Sequence, residues 1–275
     1  MRDGFFIIND GILEKYTGRE RFVFIPEGIR EIGNGAFLWN SDLCTVEIPE
    51  GVTRIGSSAF DGCTRLSAVN IPSTVTEIGE SAFSYCTNLK ELTIEEGSRL
   101  SEIKREAFLG CLRLPDLTLP ETVRRIEKAA FLSSGVKALT VTSQKISFSA
   151  YTGESMAICA TSLLPSAFPK GVKTNVLRGH FLLLMKGYPL SDELCKRYCR
   201  YITENRDIVK RLLAEIANER QLLAFVTEYL LEKGFPSSDD CDLLMGLLCD
   251  DVEMLTRVME YKKKHFGFDS SELLL

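Results

Sequence analysis

The sequence predicts an α+β chain, an N-terminal β-solenoid followed by an all-α helical domain, and three observations lead there. The dipeptide Ala-Phe occurs at 36–37, 59–60, 82–83, 107–108 and 130–131, in steps of 23, 23, 25 and 23 residues. A fixed period of that size marks stacked units that bury their apolar sides only against one another. From Thr174 onward the apolar residues instead recur at helical spacing: Val176-Leu177, Phe181, Leu184-Met185, then Leu194, Tyr198, Tyr201-Ile202. Finally, 275 residues that are 45% apolar and 26% charged are ample for a core, which excludes a disordered chain and a disulfide-dependent miniprotein.

Within the first half, several columns keep the step of the Ala-Phe dipeptide. Ile25-Pro26, Ile48-Pro49, Ile71-Pro72 and Leu119-Pro120 open the units, with Ile94 in the matching place of the fourth. Ile32, Ile55, Ile78, Ile103 and Ile126 precede each Ala-Phe, and Gly33, Gly56 and Gly79 follow the first three of them. A last column, three residues after each Phe, reads Asn40, Cys63, Cys86, Cys111 and Ser134. In Leu89-Lys-Glu-Leu92-Thr-Ile94 the alternation predicts a short strand, with Leu92 and Ile94 inward and Glu91 and Thr93 outward. Val-x-x-Ile, as in Val52–Ile55 and Val75–Ile78, predicts a second strand per coil. Ala-Phe supplies one small and one large core residue. Coils then stack about 4.8 Å apart, the strand spacing of a sheet.

The pattern Ile-Pro-x-x-Val-Thr-x-Ile-Gly-x-x-Ala-Phe-x-x-Cys-x-x-Leu resembles the BspA-type leucine-rich repeat, over five units in residues 20–142. The preceding Phe6-Ile-Ile-Asn-Asp-Gly11-Ile-Leu-Glu-Lys-Tyr16 resembles the hairpin that caps such arrays, which assigns residues 1–19 to a cap. The fourth unit departs from the pattern, with Glu95 in place of Pro and two extra residues near Glu96–Ser98; the fifth loses its Cys. The resemblance implies a protein-binding surface and no chemistry. Some members are surface adhesins for host matrix proteins, so a cell-surface adhesin is the alternative to an intracellular protein-interaction scaffold.

The outward strand positions form a shallow, polar, mildly acidic face. Its candidate protein-binding residues are Thr45, Glu47, Asn70, Glu91, Thr93, Asp116 and Thr118. A second exposed column, Glu31, Arg54, Glu77, Glu102 and Arg125, puts opposite charges on neighbouring strands and is expected to hold register, at about 0.2–1 kcal/mol per pair.

Residues 143–173, rich in Ser, Thr and Ala, read as a connector with a short helix over 154–163, and residues 174–275 as the helical domain. Lys186-Gly-Tyr-Pro-Leu-Ser-Asp192 and Lys233-Gly-Phe-Pro-Ser-Ser-Asp239 repeat, and Gly267–Glu272 is a third copy. Each supplies Gly to end a helix and Ser with an acidic neighbour to start the next. Leu212–Lys233 also aligns with Leu244–His265 at an offset of 32. The helical domain is therefore an α-solenoid, weakly similar to ankyrin-like repeats, or a small bundle.

Chemistry-bearing motifs are scarce. The sequence has no phosphate-binding Gly-Lys-Ser/Thr loop, no Gly-x-Ser-x-Gly elbow, no dinucleotide fingerprint and no His-Glu-x-x-His. The chain is thus expected to be no enzyme and to need no cofactor, an interdomain site near 142–169 being the exception to watch. Cys195 and Cys199 share a helix face, but without Cys-x-x-Cys spacing or a nearby His they predict no metal site. Nine cysteines, an odd number, are expected to be reduced thiols. Residues 1–145 carry 17 basic against 20 acidic residues and the remainder 16 against 18, so neither half offers phosphate a basic surface and nucleic acid is not an expected partner. No apolar run reaches about 18 residues, so no membrane insertion is expected. No leader is visible from Met1, which predicts a cytoplasmic chain, or a surface one if a leader is removed.

Overall fold

The computed structural model describes residues 5–141, 147–148, 157–160, 173–187 and 190–267. Two compact units divide at Val172/Lys173.

The first unit opens with a hairpin, β1 (Phe6–Asn9) and β2 (Ile12–Tyr16), turned by Asp10-Gly11, both at positive φ. That is the turn whose twist suits a two-residue hairpin, and Asp-Gly its favoured pair. Coils follow, each with one longer and one two-residue strand: β3 (Phe22–Phe24) and β4 (Glu31–Ile32), β5 (Thr45–Glu47) and β6 (Arg54–Ile55), β7 (Ala68–Ile71) and β8 (Glu77–Ile78), β9 (Glu91–Ile94) and β10 (Glu102–Ile103), β11 (Leu117–Leu119) and β12 (Arg125–Ile126), β13 (Ala138–Val141) and β14 (Ser147–Phe148), then β15 (Ala157–Ala160). The short strands join the hairpin in an eight-stranded sheet, β1-β2-β4-β6-β8-β10-β12-β14, parallel from β2 onward. The strand columns therefore do not stop at Val141. β14 and β15 lie within the stretch expected to be a connector, and residues 157–160 are strand where a short helix was expected; the rest of 143–172 lies outside the described residues.

The longer strands form two sheets, β3-β5-β7-β9 and β11-β13-β15. The break falls where Pro115 occupies the place held by Lys90 one coil earlier. Lys90 N–H donates to Ser67 C=O across 3.1 Å; proline has no N–H to repeat the bond.

A third ladder runs through the Ala-Phe arcs, which are not strands. Residues at positive φ recur twice per coil: Gly35, Ser58, Ser81, Glu106 and Ala129 before each Ala, then Trp39, Gly62, Tyr85, Gly110 and Ser133 after each Phe. The alternation turns every second amide toward the following coil, so Phe37, Phe60, Phe83 and Phe108 donate to the carbonyls of Ala59, Ala82, Ala107 and Ala130 at 2.7–2.8 Å. Strand-side amides point the other way, Gly56 N–H to Ile32 C=O and Gly79 N–H to Ile55 C=O. Each coil is thus bonded in both directions.

The core lies between these ladders. Phe37, Phe60, Phe83, Phe108 and Phe131 stack with centroids 4.8–5.4 Å apart and planes within 14°. Tyr16 of the hairpin continues the column, 5.0 Å from Phe37. At the outer corner, Trp39 and Tyr85 lie over the glycines of the next coil: a Cβ on Gly62 would come 2.6 Å from Trp39 Cε3, and one on Gly110 2.9 Å from Tyr85 Cδ1. In the charge column Arg54 is ion-paired to Glu31 and, at 3.0 Å, to Glu77, whereas Glu77 and Glu102 are neighbours in register that share Lys104, and Arg125 pairs with Glu127 instead.

The second unit contains α1 (Lys173–Met185), α2 (Asp192–Glu204), α3 (Arg206–Glu215), α4 (Arg220–Glu232), α5 (Ser238–Leu247) and α6 (Val252–Phe266). The repeated connectors act as their residue types suggest. Ser191 accepts the Leu194 N–H at the start of α2, and Ser237 with Asp240 forms a capping box at α5. Gly187, Gly234 and Gly267 stand in the left-handed region after α1, α4 and α6. Beyond Gly267 the third copy lies outside the described residues. α1 packs on α3 and α4, α3 packs on α5, α4 on α6, and α5 on α6.

Because Phe83 has a ring on each side, Phe83→Ala removes two stacking contacts and leaves a cavity mid-array. Urea denaturation is expected to show a loss of about 3–5 kcal/mol.

Candidate functional site

The four-stranded sheet brings five of the seven candidate residues onto one face. In register, Phe22, Thr45, Ala68 and Glu91 form one row, and Phe24, Glu47, Asn70 and Thr93 the next. Val23, Val46 and Val69 alternate with them and are buried, which orients the rows outward. Thr118 lies on β11 in the other sheet, and Asp116 just ahead of that strand, beyond the break at Pro115.

Two of the seven are engaged within the coil stack. The Asp116 carboxylate accepts the N–H groups of Lys137 and Ala138 at 2.9 and 2.8 Å, capping the start of β13. The Asn70 amide donates to Glu95, whose other carboxylate oxygen accepts the Ser73 N–H at 3.2 Å. Thr45 is half-buried, while Glu47, Glu91, Thr93 and Thr118 are exposed.

The face is less polar than the sequence suggests. Phe22 and Phe24, 65% and 73% exposed, stand on β3 at its N-terminal edge. They stand 14 and 12 residues before Ala36, as Thr45 and Glu47 stand before Ala59, so they are the first members of the same outward column. Their signal is the alternation Phe-Val-Phe ahead of Ile25-Pro26. Large apolar residues exposed together are unusual on a soluble surface unless something covers them.

Glu50 also accepts the Ser73 N–H, at 3.0 Å, so two carboxylates converge on one amide. The hydrogen bond to the Glu95 carboxyl, followed by that from Ser73, holds Glu50 down at about 2.

The cysteine column is structural. Cys63, Cys86 and Cys111 are 0% exposed, and their thiols donate to the carbonyls of Phe37, Phe60 and Phe83 at 3.0–3.2 Å. Burial pushes Cys63 and Cys111 up to about 12 and Cys86 upward as well. Cys44, Cys63, Cys86, Cys111, Cys195, Cys199, Cys241 and Cys249 are free thiols. In the second unit, Cys199 contacts the Tyr229 hydroxyl at 3.2 Å, and burial first, then Cys199, raises the Cys195 thiol. Among the described residues no group of three or more His, Cys, Asp and Glu is placed to hold a metal, and no helix is long and apolar enough to cross a membrane.

His180 is fully buried and stacks flat on Tyr198 with ring centroids 3.6 Å apart. Burial pushes it down to about 3. His265 lies in the last turn of α6 and stacks on Tyr261 at 4.1 Å.

Comparison with known families decides the identity of the first unit. The family described as BspA type leucine rich repeat region, in six copies, matches residues 15–156, just over half of the chain. The chain belongs to the BspA-type leucine-rich repeat family. Six copies are one more than the five Ala-Phe dipeptides. Among solved structures, this BspA-type chain is similar to the pneumococcal vaccine antigen PcpA, at 31% identity over 44% of this chain and 30% of that one, with a TM-score of 0.42. It is also similar to a leucine rich cell surface protein of Faecalibacterium prausnitzii, at 28% identity over 57% and 52%, TM-score 0.41. A third is the leucine rich repeat protein of T. pallidum, at 24% identity over 72% and 94%, TM-score 0.49. The chain thus spans less than two thirds of the first two. No curated protein sequence matches it.

Two chemical tests follow. Iodoacetamide at pH 8 should label exposed Cys249 at least about a hundredfold faster than Cys63, Cys86 and Cys111, which react only after unfolding, as peptide mass mapping would show. His180 binds a proton more weakly folded than unfolded, so its contribution is present above about pH 6.5 and is lost as the pH falls toward 3. Between pH 7 and 5 that loss is about 2 kcal/mol, and His180→Phe is expected to remove that part of the pH dependence of helix unfolding, followed by circular dichroism.

Proposed function

We propose that this protein is a non-catalytic interaction scaffold that holds a protein ligand on the face of its four-stranded sheet. The observation that carries the reading is the row of exposed Phe24, Glu47 and Thr93 beside Phe22 and Glu91, set on strands whose register is enforced from inside the array. Such a face is organised before binding, so little conformational freedom is lost on association. Membership of a leucine-rich repeat family supports the same reading, since a stacked array presents a continuous surface. Of the seven candidate residues, Glu47, Glu91, Thr93, Asp116 and Thr118 are exposed and Thr45 and Asn70 half-buried, but the Asp116 carboxylate serves the coil stack. Any catalytic site near 142–169 falls on residues that, apart from 147–148 and 157–160, lie outside those described.

Affinity capture from the source cells, with the parent chain and a Glu47→Ala/Glu91→Ala/Thr93→Ala variant as baits, tests the proposal. A specific partner of the parent should bind the variant at least about tenfold more weakly, roughly 1.4 kcal/mol, while the thermal midpoint stays unchanged. Undiminished capture of every partner would refute the strand-face assignment.

A further inference from the structure

We infer that the N-terminal edge of this face takes an extended, lysine- or arginine-bearing peptide segment, which adds to β3 as a fifth strand. The inference rests on the strand-face reading above and names the partner's chemistry.

Three features of β3 lead to it. The first is an open edge. β3 ends its sheet, and the capping hairpin pairs with β4 in the other sheet, so among the described residues no strand covers the outer side of β3. Arg21 C=O and Ile25 N–H bond to β5. In a parallel pair successive residues alternate direction, so the N–H and C=O groups of Phe22 and Phe24 point outward, toward an incoming strand.

The second is composition. An edge strand is normally blunted by Lys, Pro or a bulge, because an apolar edge recruits other chains. β3 is short, at three residues, but has none of these and instead presents Phe22 and Phe24 at 65% and 73% exposure. Both rings lie on the face of the sheet, where alternate side chains of an added strand would pass over or beside them.

The third is charge, which selects the occupant. Glu47 sits beside Phe24 in register, and Glu27 and Glu50 follow the ends of β3 and β5. Among the described residues none of these three has a basic partner within ion-pair distance; the ion pairs bordering the face are Arg65 with Asp42 and Lys90 with Glu91. A cationic side chain arriving at the carboxyl end of β3 would gain these carboxylates and the face of Phe24 together, the latter by cation–π attraction. An acidic segment would meet like charges.

The test is a fluorescence-anisotropy titration of labelled ten-residue peptides, one alternating valine and lysine and one alternating valine and glutamate, with the intact chain and with Phe22→Ser/Phe24→Ser. Both phenylalanines are largely exposed, so the variant is expected to keep the parent's thermal midpoint. The valine–lysine peptide should bind the parent at least tenfold more tightly than its glutamate counterpart, weaken on going from 50 to 300 mM salt, and lose tenfold or more on the variant. N-methylation of alternate peptide amides should weaken it comparably, which a purely ionic association would not show. Binding that ignores the Phe substitutions or the N-methylation, equal binding of both peptides, or no binding would overturn the inference. A dimer in sedimentation that dissolves on Phe22→Ser/Phe24→Ser would overturn it in favour of self-pairing. If the peptides fail while the Glu47→Ala/Glu91→Ala/Thr93→Ala variant still loses its captured partner, this inference alone falls; if that variant keeps every partner, the broader reading falls too.

Discussion

Everything in the repeat unit depends on one separation, the distance from a coil to its neighbour. Backbone hydrogen bonding sets it near 4.8 Å, and a stack of flat aromatic rings tolerates almost the same value. The phenylalanine centroids at 4.8–5.4 Å show both demands met together. Had the column been leucine or valine, the strands alone would have set the spacing. With phenylalanine, ring stacking and the arc ladder reinforce it on the side of the coil that lacks strands. The direction of the bonds adds a second constraint. Arc amides donate forward and strand amides donate backward, so a coil cannot shift along the axis without breaking bonds on both sides.

That rigidity explains why surface side chains fall into rows. Thr45, Ala68 and Glu91 are 23 residues apart yet adjacent in space because the interior leaves no alternative register. It also decides which polar groups are free to meet a ligand. Asp116 is consumed by the amides of Lys137 and Ala138, and Arg54 by its glutamates, whereas Glu47 and Thr93 have no such duty within the coil. The face has natural ends as well. Pro115 interrupts it on one side, and the open edge of β3 bounds it on the other, so the usable surface is the four strands between them.

Much of this was legible in the sequence, and the exceptions have physical causes. Ala-Phe, the isoleucine column and the buried cysteines announce themselves because core positions accept few residue types. Ser191 and Ser237 do so because helix starts favour a short side chain that accepts an N–H. The left-handed positions were hidden: Trp39, Ser58, Tyr85 and Glu106 are not residue types that signal positive φ, and only the stack of neighbouring arcs imposes it. β14 and β15 were missed because the last coils keep their strand pairing after losing the side-chain columns that identify a repeat. Phe22 and Phe24 head the same outward column, where two aromatic residues break the polar pattern set by Thr45, Glu47 and Asn70. Surface positions are the least constrained by packing, so the binding face was the hardest part to read.

The Ala-Phe arcs, though not strands, form a continuous hydrogen-bonded ladder that should be as firm as the sheets. Native-state hydrogen exchange of the amides of Phe60, Phe83 and Phe108 measures this directly. The account predicts protection equal to that of the strand-side amides of Gly56 and Gly79, with all of them exchanging only through cooperative opening of the array. Exchange of the phenylalanine amides at the rate of exposed loops, while Gly56 and Gly79 stay protected, would contradict it.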